Sequence, residues 1–307
     1  MRVLVSGSTG LVGSHVLAAL LARGHEPRAL ARPGRPSPSV ASESAEGDLD
    51  DEASLRRALR GCEGLVHAAG FTTGEARLFE RQRAVHVEGT SRLLRAAQAA
   101  GVARVAHVSC MFAVGFTRQP VPLAEGTRWN GVELRLEAAL IQKEAEQRAL
   151  AAAWAGLELA VAIPGWVLGR APGAPDHPLV AALRAGSTRA SPAGGASVID
   201  AADAALGIVR VLESGRRGER YLLGGENAAW ADVDARLARA LGRPAPPARG
   251  GLLARWRAAP PHDLLRPAGV WSWIDDAKAR SELGHAARPL DEAVRRAATA
   301  GEPAPRS

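Results

Sequence analysis

The sequence predicts an α/β fold: a Rossmann-type doubly wound parallel sheet with a smaller C-terminal lobe. Three observations lead there. Short β-branched strands alternate with helical patterns over the first 165 residues. Hairpin signals are absent from that stretch, so the strands must be parallel and joined by crossover helices. A glycine cluster, Gly7 to Gly13, stands directly between the first strand and the first helix.

Each element has its own signal. Arg2 to Ser6 is a short β-branched run that reads as a buried strand. Val12 to Arg23 carries apolar residues at helical spacing and stops at Gly24. Glu26 to Ala31 reads as the second strand, after which Pro33, Gly34, Pro36 and Pro38 impose a loop. Leu55 to Leu59 is a short helix, Gly64 to His67 a strand, Arg81 to Ala100 a long helix and Ala103 to Ser109 a strand. Glu133 to Ala153 is the longest helical pattern, and Leu157 to Ile163 the next strand.

Beyond Pro164 the texture changes. Residues 169–196 are rich in Gly, Pro and Ala, with one short helical pattern at Leu179 to Leu183. Val198 to Leu212 reads as strand into helix, Arg220 to Leu223 as strand and Ala231 to Leu241 as helix. Residues 243–269 are rich in proline and arginine around Leu252, Leu253 and Trp256, which read as a lid, and Trp271 and Trp273 are expected to pack the C-terminal helix.

Composition excludes several classes of function. A chain of 307 residues buries roughly three quarters of its unfolded surface without disulfide or metal staples. The formal charge is +7, yet Lys143 and Lys278 are the only lysines, and the arginines lie scattered among glutamates and alanines. That is no nucleic-acid footprint. Cys62 and Cys110 make neither a disulfide framework nor a zinc set, so no metal is expected. No apolar run reaches a membrane span, and the N-terminus alternates like a strand rather than a signal peptide. A cytoplasmic protein with no membrane partner is the expectation. The chain has one tyrosine, Tyr221.

The glycine cluster Gly7-Ser8-Thr9-Gly10-Leu11-Val12-Gly13 sits where such clusters have a physical purpose. Gly7 permits the tight turn, Gly10 lets backbone approach a pyrophosphate, and Gly13 lets helix pack on strand. The helix N-terminus offers amide hydrogens and partial positive charge to phosphates. The chain therefore divides into a dinucleotide-binding domain, 1–165, and a substrate-binding lobe, 166–307, with some strands and helices of the latter returning to the main sheet.

This cluster resembles that of the extended short-chain dehydrogenase/reductase superfamily, and other segments agree. Gly47-Asp48-Leu49 resembles the family's adenine-holding turn, and His67-Ala68-Ala69-Gly70 the loop that passes the cofactor. Val87-Glu88-Gly89-Thr90 is similar to its "NVxGT" helix, and Pro164-Gly165-Trp166-Val167-Leu168-Gly169 to its "RPGxVxG" segment. Val198-Ile199-Asp200, Asp203-Ala204-Ala205, Tyr221 and Gly224-Gly225 match its substrate lobe. The likeness spans essentially the whole chain, on the side of the NAD-dependent epimerase/dehydratase and dihydroflavonol-reductase-like groups. It implies cofactor contacts at Gly7, Thr9, Gly10, Leu11, Val12, Gly13, Asp48, Leu49, Ala68, Ala69, Gly70, Pro164, Gly165 and Val167. It also implies a homodimer. The second strand ends Leu30-Ala31-Arg32, with Arg28 and Arg35 nearby and no carboxylate. A guanidinium at Arg32 suits a 2′-phosphate, so NADP is expected, with NAD the alternative.

The resemblance implies a catalytic Tyr-xxx-Lys pair on the long helix, and there the sequence departs from it. Tyr221 lies far downstream, so no register places a tyrosine in residues 133–153. Matching the family's "AE" to Ala145-Glu146 puts Ala138 at the tyrosine and Gln142 at the lysine; sliding by one puts Ala139 at the tyrosine and keeps Lys143. Cys110 stands where the serine belongs and His86 where the asparagine belongs. Substitute acid/base groups are then His86, Cys110, Ser109 and Glu137, with Lys143 in the second register. Cys110 and His107 also read as ordinary buried residues. Met111, Phe112, Trp129 and Trp166 come from segments that wall the family's substrate cleft, and such faces suit a flat, apolar molecule. The expected function is an NAD(P)-binding tailoring enzyme that works by isomerisation, dehydration, cyclisation or carbon–carbon bond chemistry. An NADPH-dependent ketone reductase or epimerase with a substituted proton donor, and an inactive dinucleotide-binding redox sensor, are the alternatives.

Overall fold

A computed structural model describes residues 1–34, 41, 43–72, 74–187, 190–247 and 269–299. The glycine-flanked runs become β1 (Arg2–Ser6), α1 (Leu11–Ala22) and β2 (Glu26–Ala31), followed by β3 (Glu43–Glu46), α2 (Glu52–Ala58) and β4 (Gly64–His67). Then come α3 (Phe79–Arg83), a π turn (Ala84–Gly89) and α4 (Thr90–Ala99) in unbroken succession, and β5 (Arg104–Val108). The next are α5 (Glu137–Trp154), β6 (Leu159–Pro164), β7 (Trp166–Leu168), α6 (Pro178–Arg184), β8 (Gly194–Asp200) and α7 (Ala201–Ser214). The chain continues through β9 (Arg220–Leu223), β10 (Glu226–Ala229), α8 (Trp230–Ala240), β11 (Val270–Ser272), α9 (Ala277–Leu283) and α10 (Leu290–Thr299).

Among the described residues, seven strands form the main sheet in the order β3-β2-β1-β4-β5-β6-β9, every pair parallel. Alternation along the strands sends side chains into two cores. Leu4, Leu65, Val105, Val161 and Leu222 pack under residues of α2, α4 and α5. Val3, Val5, Val66, Ala106 and Leu223 pack under α1, α7 and α9. Both faces being covered, the strands read as continuous apolar runs, as parallel sheets do. A second sheet has β8 at its centre, antiparallel to β10 and parallel to β7 and β11. It closes a third core around the buried Trp230. Among the described residues, no helix is long and apolar enough to cross a membrane.

The structure refines several of these readings. Tyr221 is on β9, a strand beyond residue 165 that returns to the main sheet. It is fully buried, its hydroxyl donates to Glu282 at 2.8 Å and accepts from the Arg216 amide at 3.1 Å, and it plays a packing role. Trp271 and Trp273 lie on and beside β11 and stack edge to face on each other, 5.2 Å between centroids, rather than on the last helix. The short strands β3, β7, β10 and β11 carry three or four residues each, too few for a periodicity to show. The segment around Leu252, Leu253 and Trp256, and Arg35, lie outside the described residues.

One row of the core is polar. Thr90 donates its hydroxyl hydrogen to the carbonyl of His86, so it accepts from Nε2 of His67 at 2.8 Å. Nδ1 of His67 then accepts from the Ser6 hydroxyl at 2.7 Å. The ring of His107 lies 5.4 Å from that of His67, and its Nδ1 is buried without a hydrogen-bond partner. Burial, with the nearby His86 adding to it, pushes His107 down to about 3.

Unfolded imidazole titrates near pH 6.5, so between there and about 3 the unfolded chain takes a proton that the folded chain refuses. Stability must therefore fall as pH drops below about 6.5. Replacing His107→Leu should remove about 2–3 kcal/mol of that loss at pH 4.5 and leave stability at pH 7.5 unchanged or higher. Urea titrations of both proteins at the two pH values check this. Equal losses in both would contradict the account.

Candidate dinucleotide and substrate site

The glycine turn is tight for steric reasons that the coordinates make explicit. Gly7 has φ +70°, and a Cβ there would lie 2.5 Å from the carbonyl oxygen of Ala68. A Cβ on Gly13 would lie 2.2 Å from the carbonyl oxygen of Gly7. Gly10 is less confined, but a Cβ there would still be tight against the Gly7 oxygen at 3.2 Å. Gly10 is also the N-cap of α1 and supplies no side-chain cap, so the first amides of α1 open toward the adjoining space. That combination of a helix start, absent side chains and free approach fits a pyrophosphate.

Most of the expected cofactor contacts gather here. Gly10, Leu11, Val12, Gly13, Ala68, Gly70, Pro164, Gly165 and Val167 border one cavity of about 490 Å³. Gly7 and Ala69 stand behind it, the Ala69 amide turned to the Ser6 hydroxyl, and Thr9 is exposed on the turn. Asp48 and Leu49 form the β3–α2 turn: the Asp48 carboxylate accepts from the Asp50 amide at 3.1 Å, and Leu49 packs on Gly89. Arg32 is exposed just past β2. Arg28, by contrast, is buried and bound to Glu43 and to the carbonyls of Ala58 and Arg60, so it is structural.

The catalytic candidates are sorted by where their side chains go. Ser109 and Cys110 end β5 and border the cavity. The Ser109 hydroxyl donates to the buried carboxylate of Glu146 at 2.7 Å, so its hydrogen is already committed. The Cys110 thiol is pushed up to about 12, chiefly by burial, against the opposing amides of Phe112 and Ala113. A thiolate nucleophile is thus the wrong reading of Cys110; it is a neutral thiol. His86 does not border the cavity at all. Its Nε2 lies 3.0 Å from the amide nitrogen and 2.8 Å from the carbonyl oxygen of Phe71, and its ring presses on Gly70. Burial lowers its affinity for a proton, partly offset by the Phe71 carbonyl. With Gln82, which donates to the same carbonyl at 3.1 Å, His86 holds the 70–72 loop in place. It is a positioning residue, not an acid or base facing the cavity.

Glu137 opens α5 at the protein surface beside Arg83 and stands apart from the cavity. Lys143 is also directed elsewhere: its ammonium donates to the Ala113 carbonyl at 3.1 Å and to Glu146 at 3.2 Å. Gln142, not Lys143, reaches toward His86, with 3.5 Å between the two nitrogens. Ala138 lies one turn before Gln142 on the same buried side of α5.

Met111, Phe112 and Trp166 wall the cavity as expected. Trp129 does not; its indole donates to the Phe112 carbonyl at 2.8 Å and braces the turn from behind. The lining also includes residues that sequence reasoning passed over, among them Thr72, Phe116, His177 and Ser272. Only His177-Pro178 had a readable signal, an N-cap followed by proline at a helix start.

Comparison with known proteins places this architecture. The sequence profile of the NAD dependent epimerase/dehydratase family matches residues 3–224. The chain belongs to that family. Sterol demethylase protein B of Methylococcus capsulatus is 32% identical over 257 residues, 80% of this chain and 76% of its own. A Stigmatella aurantiaca protein named 4-hydroxy-2-methyl-3-oxo-4-farnesyl-3,4-dihydroquinoline-1-oxide ketoreductase is 29% identical over 98% of each chain. The crystal structure of a nucleoside-diphosphate-sugar epimerase from Pseudomonas aeruginosa superposes with a TM-score of 0.83 at 31% identity, covering 97% of this chain and 96% of that one. Epimerase/dehydratase family members bind a nicotinamide dinucleotide, and the cradle at Gly7–Gly13 suits one.

A thiol held near 12 is almost wholly protonated at pH 8. Alkylation of native Cys110 by iodoacetamide should therefore run about a thousandfold slower than that of a free cysteine, and rise tenfold per pH unit. Mass spectrometry of the Cys110 peptide over a pH series measures it. Rapid labelling at pH 7 would refute the protonated state.

Proposed function

We propose that this chain is a dinucleotide-binding tailoring enzyme for an apolar small molecule, and that its proton transfers do not use a tyrosine–lysine pair. One observation carries the reading. On the buried side of α5, one turn apart, stand Ala138 and Gln142, while the chain's single tyrosine is locked to Glu282 and Arg216 on β9. General acid catalysis needs a group that delivers a proton within hydrogen-bond reach, and α5 offers none there.

The wall supports the apolar substrate: Met111, Phe112, Phe116 and Trp166 meet Val167 and Val270 around one cavity. Two of the relatives are named for a sterol and for a farnesylated quinoline oxide, which agrees with a large apolar ligand. When bound, the nicotinamide supplies hydride-exchange capacity beside that wall. The chain itself supplies the rest. Gly10–Gly13 and Pro164–Val167 hold and orient the dinucleotide, the apolar wall excludes water, and the Cys110 thiol donates a weak hydrogen bond to a substrate oxygen. Isomerisation, dehydration, cyclisation or carbon–carbon bond chemistry fits such a site. The ketoreductase name of one relative favours a second reading, an NADPH-dependent reductase whose proton comes from another group.

The two readings separate on cofactor stoichiometry. Purified protein is incubated with NADPH and a panel of bicyclic and tricyclic ketones and enones, following the near-ultraviolet absorbance of reduced nicotinamide and products by mass spectrometry. The proposal expects products of unchanged or dehydrated mass with no net NADPH loss. Stoichiometric NADPH oxidation with products two hydrogens heavier would replace it by the reductase.

We also propose NADP rather than NAD, on the exposed Arg32 just past β2. Arg32→Ala should weaken NADPH binding about tenfold, the loss of one charge-assisted contact, and change NADH binding less than twofold. Fluorescence titration of the reduced nucleotides tests it, and equal loss for both would count against the assignment.

A further inference from the structure

We propose that Ser272 is a specificity-determining residue whose hydroxyl hydrogen-bonds an uncharged oxygen substituent, ketone or alcohol, on the apolar substrate. The inference rests on the reading of the cavity as the seat of an apolar small molecule, and adds the group that selects among such molecules.

The three residues of β11 are directed by what packs on either side of the strand. Trp271 exchanges two backbone hydrogen bonds with Thr117, each of 2.9 Å, an isolated antiparallel bridge. Toward β8, Val270 stands opposite Gly194 and Ser272 opposite Ala196. The Trp271 ring covers Gly195, where a Cβ would lie 2.7 Å from its Cζ3, and it meets Trp273 edge to face. Successive strand residues face opposite ways. Val270 and Ser272 therefore share the other face, and both border the cavity beside Phe116, the residue before Thr117. Both lie beyond residues 3–224, the part of the chain that matches the family. A strand paired along both edges fixes the Ser272 backbone and leaves its hydroxyl hydrogen to rotate.

The other hydroxyl and thiol groups on the cavity give this one its importance. Among the described residues these are Thr72, Ser109 and Cys110. Ser109 has committed its hydrogen to Glu146, Cys110 offers a thiol, a weak donor, and Thr72 is exposed. Ser272 is half-buried, and its hydroxyl has no hydrogen-bond partner among the described residues. A hydroxyl both donates and accepts, so it serves a ketone or an alcohol equally. It is also a stronger donor than a thiol, so a ligand with a single oxygen places that oxygen at Ser272 rather than Cys110. Among the described residues that border the cavity, none carries a carboxylate, ammonium or guanidinium. The oxygen that fits is therefore uncharged.

The test uses two probes that differ by that oxygen alone, 1-tetralone and its hydrocarbon counterpart tetralin. The chain has two methionines, Met1 and Met111, and Met111 borders the cavity. Its 13C-labelled methyl group therefore reports occupancy by NMR, in the full chain with NADP+ or NAD+ present. Ser272→Ala removes the hydroxyl and little else; Thr72→Val removes the exposed hydroxyl of the same cavity at nearly constant shape. The proposal expects Ser272→Ala to bind 1-tetralone about fivefold more weakly, the net worth of one neutral hydrogen bond. Tetralin should bind within twofold of the parent protein, which also shows that the cavity is intact, and Thr72→Val should bind both probes as the parent does. The infrared carbonyl stretch of bound 1-tetralone, labelled with 13C at the carbonyl, should move to higher frequency in Ser272→Ala as the hydrogen bond is lost. Unchanged 1-tetralone binding, equal weakening of both probes, an equal loss in Thr72→Val, or an unshifted carbonyl stretch would overturn the role of Ser272 while leaving the apolar cavity standing. If neither probe moves the Met111 signal in the parent protein, the apolar reading itself fails and takes this inference with it.

Discussion

The carboxylate of Glu146 has no solvent exposure, and the geometry of the site depends on how it is satisfied. A buried charge is tolerated only when paired and hydrogen-bonded. Its partners come from three elements: the Ser109 hydroxyl at the end of β5, Lys143 on α5 itself, and Arg220 at 3.1 Å on β9. Lys143 and Arg220 also converge on the Ala113 carbonyl. This knot ties the carboxyl end of the sheet to α5 and fixes the 110–113 turn between them. It also draws Lys143 and the Ser109 hydrogen away from the cavity, which leaves the Cys110 thiol as the side-chain donor at that strand end outside the knot.

A second constraint acts on the opposite wall. The helix that spans 79–99 widens into a π turn at Ala84–Gly89, where the hydroxyls of Thr90 and Ser91 donate back to the carbonyls of His86 and Val87. The widened turn brings His86 against Gly70, a position with no space for a Cβ. The floor under the 70–72 loop is thus made by a histidine ring and Gln82. Glycine at 70 is required by packing beneath the loop as much as by any ligand above it.

The sheet was readable because its strands are buried on both faces: β1, β2, β4 and β9 begin and end where their residues predict. What escaped had little to show. Glu43–Glu46 is a polar edge strand, bounded by charges as exposed edges are. The glycine cradle was legible because each glycine answers a steric demand within a few residues of sequence. The catalytic candidates were legible only as chain positions. Sequence places His86 on a helix near the cofactor loop, but the π turn decides that its ring goes under the loop. It places Lys143 beside Gln142, but a carboxylate three residues on decides which of the two turns inward. Those choices are made by long-range pairings that no local pattern encodes. The same holds for His177, whose ring meets Trp166 of β7.

The topology of β9 has a consequence for how the chain is made. β6, the run Leu159–Pro164 with every residue buried, has β5 on one side and β9 on the other. Residues 165–219 stand between the two strands in sequence. During synthesis, at about 5–20 residues per second, β6 therefore waits roughly 3–11 s with one edge unpaired. The face that α7 will cover, against α1, is bare over much of the same interval. An apolar strand with an open edge is a template for pairing with another chain. The half-made protein on the ribosome, rather than the finished one, is where this fold is most exposed to aggregation and most in need of a chaperone.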